Sequence, residues 1–191
     1  MELEFELKAP APLSKVEAKL RELGASLKAV EREVDIYFQH PCRDFASMDE
    51  ALRLRRRGGV FLLTYKGPKL EGGGRCKARP EVEVSVSSFE GVLELLSSLG
   101  FKEVAEIRKE RSMYELPGFR VYLDRVEGLG EFVEVECVTD SSKLREVESS
   151  VLKLAEELGV DVSRATIKSY LELYLEGARR GQGGLREASS R

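Results

Sequence analysis

The sequence predicts an α+β fold, a mainly antiparallel β-structure of about eight strands with helices set between them. Three observations carry this. Segments in which apolar and polar residues alternate with period 2 recur along the chain. Turns of two or three residues rich in glycine and proline join many of them. Amphipathic stretches with helical spacing interrupt the run instead of alternating regularly with it. Strand-rich order of this kind favours an antiparallel sheet or barrel over a parallel one.

Taken in order, Met1–Lys8 alternates glutamate with apolar residues and reads as a strand, broken by Pro10 and Pro12. Leu13, Val16, Leu20 and Leu23 fall at helical spacing, and Gly24 closes that helix. Val30–Gln39 reads as extended, and His40–Asp49, with Pro41, as a loop. Ala51–Arg57 and Val60–Lys66 flank Gly58-Gly59, a two-residue hairpin signal. Gly67–Lys77 is a basic, glycine-rich loop. Its Gly72-Gly73-Gly74-Arg75 lacks the Gly-Lys-Ser/Thr of a nucleotide-binding P-loop. Arg79–Ser87 alternates again, and Phe89–Leu99 is an amphipathic helix ended by Gly100. Phe101–Leu116 and Phe119–Val126 read as strands around Pro117-Gly118, and Gly128–Gly130 turns into the strand Glu131–Val138. Lys143–Leu158 is a helix before Gly159, Ile167–Leu175 a short helix or strand, and the chain from Gly177 a frayed tail. The expected organisation is one domain over residues 1–176 and a flexible tail over 177–191.

The 191 residues allow a sizeable core, and 42% apolar with 34% charged residues exclude a disordered or membrane-spanning chain. Lysine and arginine nearly balance aspartate and glutamate, at 31 against 34, so a nucleic-acid-binding polycation is not indicated. Cys42, Cys76 and Cys137 are odd in number and widely spaced, which excludes a disulfide framework and points to the cytoplasm. Asparagine is absent and glutamine occurs only at positions 39 and 182, a composition suited to a thermophile.

Function is written in the charged strand faces, because residues two apart share a face. Glu2, Glu4, Glu6 and Lys8 line one side of the first strand, and Arg53, Arg55 and Arg57 one side of another. Thr64 and Lys66 share a face, as do Arg79, Glu81 and Glu83, Lys109 and Arg111, Arg120, Tyr122 and Asp124, and Glu134 and Glu136. A half-solvated sheet explains any one of these faces. It does not explain the set, because glutamate is depleted in strands and like charges side by side repel. A divalent cation resolves the repulsion, since hard cations take carboxylate oxygens and share them with substrate phosphates. The arginines and lysines supply the complementary wall for phosphate oxygens. A closed barrel would place both walls around one lumen, with helices covering its outer apolar face. Arg57 and Arg120 rank second to the others. His40, the three cysteines and Arg179-Arg180 read as structural or solubilising.

Glu4-Phe5-Glu6-Leu7-Lys8 resembles the ExExK signature of the CYTH proteins, the triphosphate tunnel metalloenzymes. The resemblance continues through Asp35-Ile36-Tyr37-Phe38, Ala51-Leu52-Arg53-Leu54-Arg55, Leu63-Thr64-Tyr65-Lys66 and Arg79-Pro80-Glu81-Val82-Glu83. It resumes at Lys109-Glu110-Arg111, Leu123-Asp124 and Gly130-Glu131-Phe132-Val133-Glu134-Val135-Glu136, and ends at Lys168-Ser169-Tyr170. It implies an eight-stranded antiparallel closed β-barrel, the triphosphate tunnel, with flanking helices. Glu4, Glu6 and Glu136 are then expected ligands of one metal ion, Mg²⁺ or Mn²⁺, with Glu134 and Asp124 placed for a second, catalytic one. Lys8, Arg53, Arg55, Lys66, Lys109, Arg111 and Lys168 are the expected triphosphate binders, with Lys8, Glu134 and Asp124 the expected catalytic residues. Glu2, Arg79, Glu81 and Glu83 carry no assigned role.

The segment from Asp35 to Phe45 is most similar to archaeal members named class IV adenylyl cyclases. The resemblance thus implies conversion of ATP to cyclic AMP and pyrophosphate. Hydrolysis of inorganic or thiamine triphosphate is the alternative enzyme reading, and a non-catalytic polyphosphate or nucleotide binder a further one. No segment marks a purine pocket; Tyr37, Phe38 and Phe45 are available to contact a base, though aromatics in such positions are more often core residues. A homodimer is compatible with the resemblance, and neither a nucleic acid nor a membrane is an expected partner.

Overall fold

The computed structural model describes residues 2–69, 76–140 and 144–187. The side chains of Glu2 and Glu4 and the run Gly72-Gly73-Gly74-Arg75 lie outside what is described. Among the described residues nine strands follow one another as β1 (Glu2–Pro10), β2 (Ser26–Gln39), β3 (Ala51–Arg57), β4 (Val60–Lys66), β5 (Cys76–Arg79), β6 (Glu81–Val86), β7 (Lys102–Leu116), β8 (Phe119–Val126) and β9 (Gly130–Asp140). Helices α1 (Leu13–Glu22), α2 (Phe89–Ser98), α3 (Leu144–Glu157) and α4 (Tyr170–Glu187) are set between or after them.

All nine strands form one antiparallel sheet in the order β5-β1-β9-β8-β7-β2-β3-β4-β6. This corrects the expected closed barrel of eight strands: the sheet is open, and β5 and β6 are its edges. Pro80 is the physical reason. The stretch expected as one strand from Arg79 to Ser87 is divided by a residue that has no N–H to give a ladder. Cys76–Arg79 pairs with β1, Glu81–Val86 pairs with β4, and among the described residues no ladder joins the two edges.

The hairpin between β3 and β4 follows the expected boundaries, with Gly58 and Gly59 both at positive φ (52° and 83°), as a type I′ turn requires. The strand β2 starts earlier than its alternation predicts. It pairs with β7 from Ser26↔Glu115 to Gln39↔Lys102, so its first residues are held by the ladder and not by burial.

Outward-facing apolar residues of the sheet meet the helices. Phe5, Leu7, Val121, Leu123, Val133 and Val135 pack with Leu13, Val16 and Leu20 of α1 and with Val151, Leu154 and Ala155 of α3. On the other half, Ile36, Phe38 and Leu54 lie under Phe89 and Leu96 of α2. The starts of α2 and α1 are each fixed by a side chain. Ser88 Oγ accepts from Gly91 N at 2.9 Å at the start of α2. The Glu131 carboxylate accepts from Leu13 N at 3.1 Å, so a β9 residue caps α1.

The segment read as a short helix or strand around Ile167–Leu175 begins α4, which continues through Gly177 to Glu187, where a tail was expected. Its start is a capping box. Ser169 N donates to Glu172 at 2.7 Å, and Glu172 N donates back to Ser169 Oγ at 3.2 Å. Among the described residues no helix is long and apolar enough to cross a membrane.

Candidate active site

The inward faces of all nine strands, with Ser169 and Tyr170 at the start of α4, line one cavity of about 500 Å³. The period-2 alternation puts the charges there. Side chains at 6 and 8, 53 and 55, 109 and 111, and 134 and 136 all point inward, while Leu7, Leu54 and Val135 between them fill the outer cores. Nine basic and eight acidic side chains form the wall, far more than a stable core tolerates without a use for them.

The basic side chains are held by acids behind or beside them. Arg55 makes a two-point contact with Asp35, Nε to Oδ1 at 2.6 Å and a second nitrogen to Oδ2 at 2.7 Å, and lies 3.2 Å from Glu33. Burial alone would raise the Asp35 pKa, but Arg55 and then Arg53 hold it well below the usual carboxylate range. Arg111 donates to Asp124 from Nε at 2.7 Å and also pairs with Glu134, while its guanidinium stacks 4.3 Å from the Tyr122 ring centre. Lys109 sits 3.1 Å from Glu33 and 3.4 Å from Asp124. Its pKa is pushed down by burial and then by the charge of Arg111.

Arg53 is held less firmly. Its contacts are Thr64 at 3.2 Å, Glu83 at 3.5 Å and Asp35 at 3.9 Å, and its buried Nε has no hydrogen-bond partner. An arginine that keeps donors in reserve inside a cavity is suited to an anionic ligand.

Lys8 is 2% exposed and lies 3.1 Å from both Glu6 and Glu134, with its ammonium 4.3 Å from the centre of the Tyr170 ring. Burial opposes its charge, but Glu6 and then Glu134 overcome it and hold the pKa above the ordinary lysine value.

The carboxylates gather on two neighbouring strands. Glu6 of β1 is directly opposite Glu136 of β9, and Lys8 is opposite Glu134. Among the described residues no three acidic, histidine or cysteine side chains are close enough to hold a metal ion as they stand. Glu6 and Glu134 contact Lys8, Glu134 also contacts Arg111, and Glu136 lies 3.5 Å from Arg120. The donor chemistry nevertheless fits a hard divalent cation. Burial pushes the Glu136 pKa up, with Glu6 and Glu134 adding to the rise against Tyr122 and Arg120, and a cation would relieve that crowding.

Of the residues singled out in the sequence, Glu6, Lys8, Arg53, Arg55, Lys66, Arg79, Glu81, Glu83, Lys109, Arg111, Glu134 and Glu136 line the cavity, as do the second-ranked Arg57 and Arg120. Asp124 does not. It is fully buried behind the wall, where Arg111, Lys109 and the Tyr170 hydroxyl, at 2.8 Å, occupy its oxygens. Lys168 also lies away from the cavity, with Nζ 2.7 Å from Glu176 and only its backbone oxygen approached by Lys8, at 3.4 Å. Lys66 pairs with Glu81 on the wall. Arg79 donates to the carbonyls of Gly67 at 2.7 Å and Asp49 at 2.6 Å, and so ties two loops to the edge strand β5.

Residues without an assigned role in the sequence complete the site. Glu33 and Asp35 are the counterions of Arg55 and Lys109, and their alternation with Val34 and Ile36 was the available signal. Tyr170 lines the cavity and packs with Phe132, Val126, Ile107 and Tyr37. Of the aromatic residues considered for a base, Tyr37 lines the cavity, Phe38 belongs to the core under α2, and Phe45 packs by His40.

Comparison with known proteins places this arrangement. The CYTH domain matches residues 2–170, and the chain belongs to the CYTH family. It is 38% identical over 161 residues to the Methanocaldococcus jannaschii protein named "Putative adenylate cyclase MJ0240", covering 84% of this chain and 91% of that one. It is 30% identical over 176 residues to adenylate cyclase CyaB of Aeromonas hydrophila, covering 88% of each. Among solved structures, PH1819 of Pyrococcus horikoshii superposes with a TM-score of 0.82 at 42% identity, over 91% of this chain and 98% of that one. The Hippeastrum protein HpAC1, described as having a dominant triphosphatase activity, shares the fold at 21% identity and a TM-score of 0.67, over 93% of this chain and 96% of that one.

Proposed function

We propose that this protein binds a triphosphate together with a divalent cation, Mg²⁺ or Mn²⁺, in the charged cavity and converts ATP there to cyclic AMP and pyrophosphate. One observation carries the reading. A single cavity joins three buried carboxylates on two neighbouring strands, Glu6, Glu134 and Glu136, to an array of buried cations that includes Lys8, Arg53, Arg55 and Lys109. The names of the relatives at 38% and 30% identity support it.

Arg53, Arg55, Lys66, Lys109 and Arg111 bind the phosphoryl oxygens, and Lys8 stays charged beside them. Asp35, Glu33 and Asp124 hold Arg55, Lys109 and Arg111 in position, so that little reorganisation accompanies the reaction. Glu6, Glu134 and Glu136 would hold the cation, which supplies charge neutralisation on the phosphates when bound. In the reaction, the ribose 3′-oxygen bonds to the α-phosphorus, the bond from that phosphorus to the α,β-bridging oxygen breaks, pyrophosphate leaves carrying that oxygen, and the 3′-proton passes to solvent.

Hydrolysis of a triphosphate is the second reading, and one observation favours it. Two of the three aromatic rings on the main cavity wall are already engaged: Tyr170 holds Asp124 and lies under Lys8, while Tyr122 lies under Arg111. HpAC1, with the same fold, is described as a triphosphatase. The test is product analysis with ATP and tripolyphosphate offered separately, each with Mg²⁺ or Mn²⁺. Cyclic AMP and pyrophosphate from ATP support cyclisation. Orthophosphate with no cyclic product supports hydrolysis. Turnover of neither substrate contradicts both.

A further inference from the structure

The chain leading into α4 folds over Lys8. Thr166 N donates to the Lys8 backbone oxygen at 2.8 Å, and the Lys8 ammonium donates to the Lys168 backbone oxygen at 3.4 Å. The same ammonium lies 4.3 Å from the centre of the Tyr170 ring, and the Lys109 ammonium lies 5.1 Å from that centre. One aromatic residue thus meets cations from β1 and β7, strands that β9 and β8 separate in the sheet.

Tyr170 is itself firmly held. It is 6% exposed, its hydroxyl donates to Asp124 at 2.8 Å, and its ring meets Phe132 edge-on at 5.3 Å. The turn that carries it is fixed as well. Glu172 accepts from both Ser169 N and Ser169 Oγ, while Lys69 reaches Glu172 at 3.1 Å and Asp49 at 2.7 Å. The surrounding fold, and not the two lysines, therefore sets where the ring lies.

This support differs in kind from that of the acids. Glu6 and Glu134 lie 3.1 Å from the Lys8 ammonium, but a carboxylate in that place repels an incoming phosphate and is open to capture by a divalent cation. An aromatic face attracts an ammonium through its quadrupole and carries no net charge. It holds the lysine in place and leaves the positive charge to the ligand.

We infer that Tyr170 is a positioning residue for the polyphosphate, its ring keeping the Lys8 and Lys109 ammonium groups in place on the cavity wall while the ligand binds. The inference rests on the triphosphate reading of the cavity and adds to it a residue that acts through both lysines.

The test is calorimetry with tripolyphosphate, with Mg²⁺ and again with EDTA, on the unaltered chain, Tyr170→Phe and Tyr170→Leu, each checked for cooperative unfolding by circular dichroism. Phenylalanine keeps the ring and loses the hydroxyl; leucine loses both. Affinity is expected to stay within about threefold in Tyr170→Phe and to fall at least about tenfold in Tyr170→Leu, the scale of a desolvated cation–π contact. A spectroscopic reading holds even if the leucine variant fails to fold. In unaltered protein labelled with ¹³C-lysine, the ring current is expected to move the Cε protons of Lys8 and Lys109 upfield, with Lys8→Arg and Lys109→Arg identifying the signals. Those shifts are expected to persist at saturation with tripolyphosphate. Equal losses in Tyr170→Phe and Tyr170→Leu, or unchanged affinity in a folded Tyr170→Leu, overturn the positioning role and leave the triphosphate reading in place. So do lysine signals at ordinary values, free or bound. Absence of tripolyphosphate binding to the unaltered chain overturns both.

Discussion

Replacing Asp124 with alanine removes one carboxylate from a buried cluster in which three groups depend on it. Arg111 loses a two-point partner, Lys109 a contact at 3.4 Å, and the Tyr170 hydroxyl its acceptor at 2.8 Å. Breaking a buried ion pair from one side costs about 3–5 kcal/mol, because the charge left behind stays desolvated. Arg111 keeps Glu134 and Lys109 keeps Glu33, so the expected loss is near the lower end, about 3 kcal/mol. At a urea m-value of about 2 kcal/mol/M the unfolding midpoint falls by about 1.5 M. The chain has no tryptophan, so circular dichroism is the natural probe. Tripolyphosphate without metal is expected to recover part of the loss, because its oxygens replace the missing anion beside Arg111 and Lys109. A shift below about 0.5 kcal/mol, or no recovery with ligand, would refute the reasoning and return Asp124 to the role of metal ligand.

Three further outcomes follow from particular contacts. The Glu136 pKa is raised in the fold by burial and by Glu6 and Glu134, so its contribution to stability is fully present below the ordinary glutamate pKa. That contribution is lost as pH rises through the raised value; in metal-free protein Glu136→Gln flattens this slope in urea titrations taken between about pH 4 and 8. Lys168→Met is expected to change tripolyphosphate affinity by no more than about twofold and stability by less than about 1 kcal/mol, since its exposed pair with Glu176 lies off the cavity. Gly67→Ala would put a methyl group 2.7 Å from the Pro80 ring, at the junction that Arg79 braces, and a thermal melt should show a loss of about 1–3 kcal/mol.

Most strands were legible because their signals are local. The β3–β4 hairpin was readable from Gly58-Gly59, and the outward cores from the residues alternating with the charges. The error in closure arose at Pro80. Alternation runs through a proline without a break, but the ladder does not: β6 keeps the expected strand beyond Pro80, whereas the edge strand β5 takes only Arg79 from it and begins in Cys76 and Lys77, which were read as loop. The α4 helix shows the opposite case. Ser169-Tyr170-Leu171-Glu172 carries the capping-box pattern, a local signal that was present and outweighed by the glycines that follow.

At the site, alternation identified which charges face inward but not which of them meet. Asp124 shares a face with Tyr122 and Arg120 along β8, yet it lies behind the wall, because Arg111 and Tyr170 reach it from other elements. Lys168 lies at the start of a motif, but its rotamer and Glu176 turn it to the surface. Such pairings depend on side chains from strands far apart in sequence, and a periodic pattern carries no information about them.

The central claim is that one cavity binds the triphosphate through its buried cations, and Arg53, with a buried donor in reserve, is the most direct probe. The measurement is calorimetric titration of tripolyphosphate with Mg²⁺ into the unaltered chain and into Arg53→Met. Saturable binding at one site per chain, weakened at least tenfold by the substitution in a protein that still unfolds cooperatively, is the predicted result. Unchanged affinity in Arg53→Met, or no binding to the unaltered chain, would contradict it.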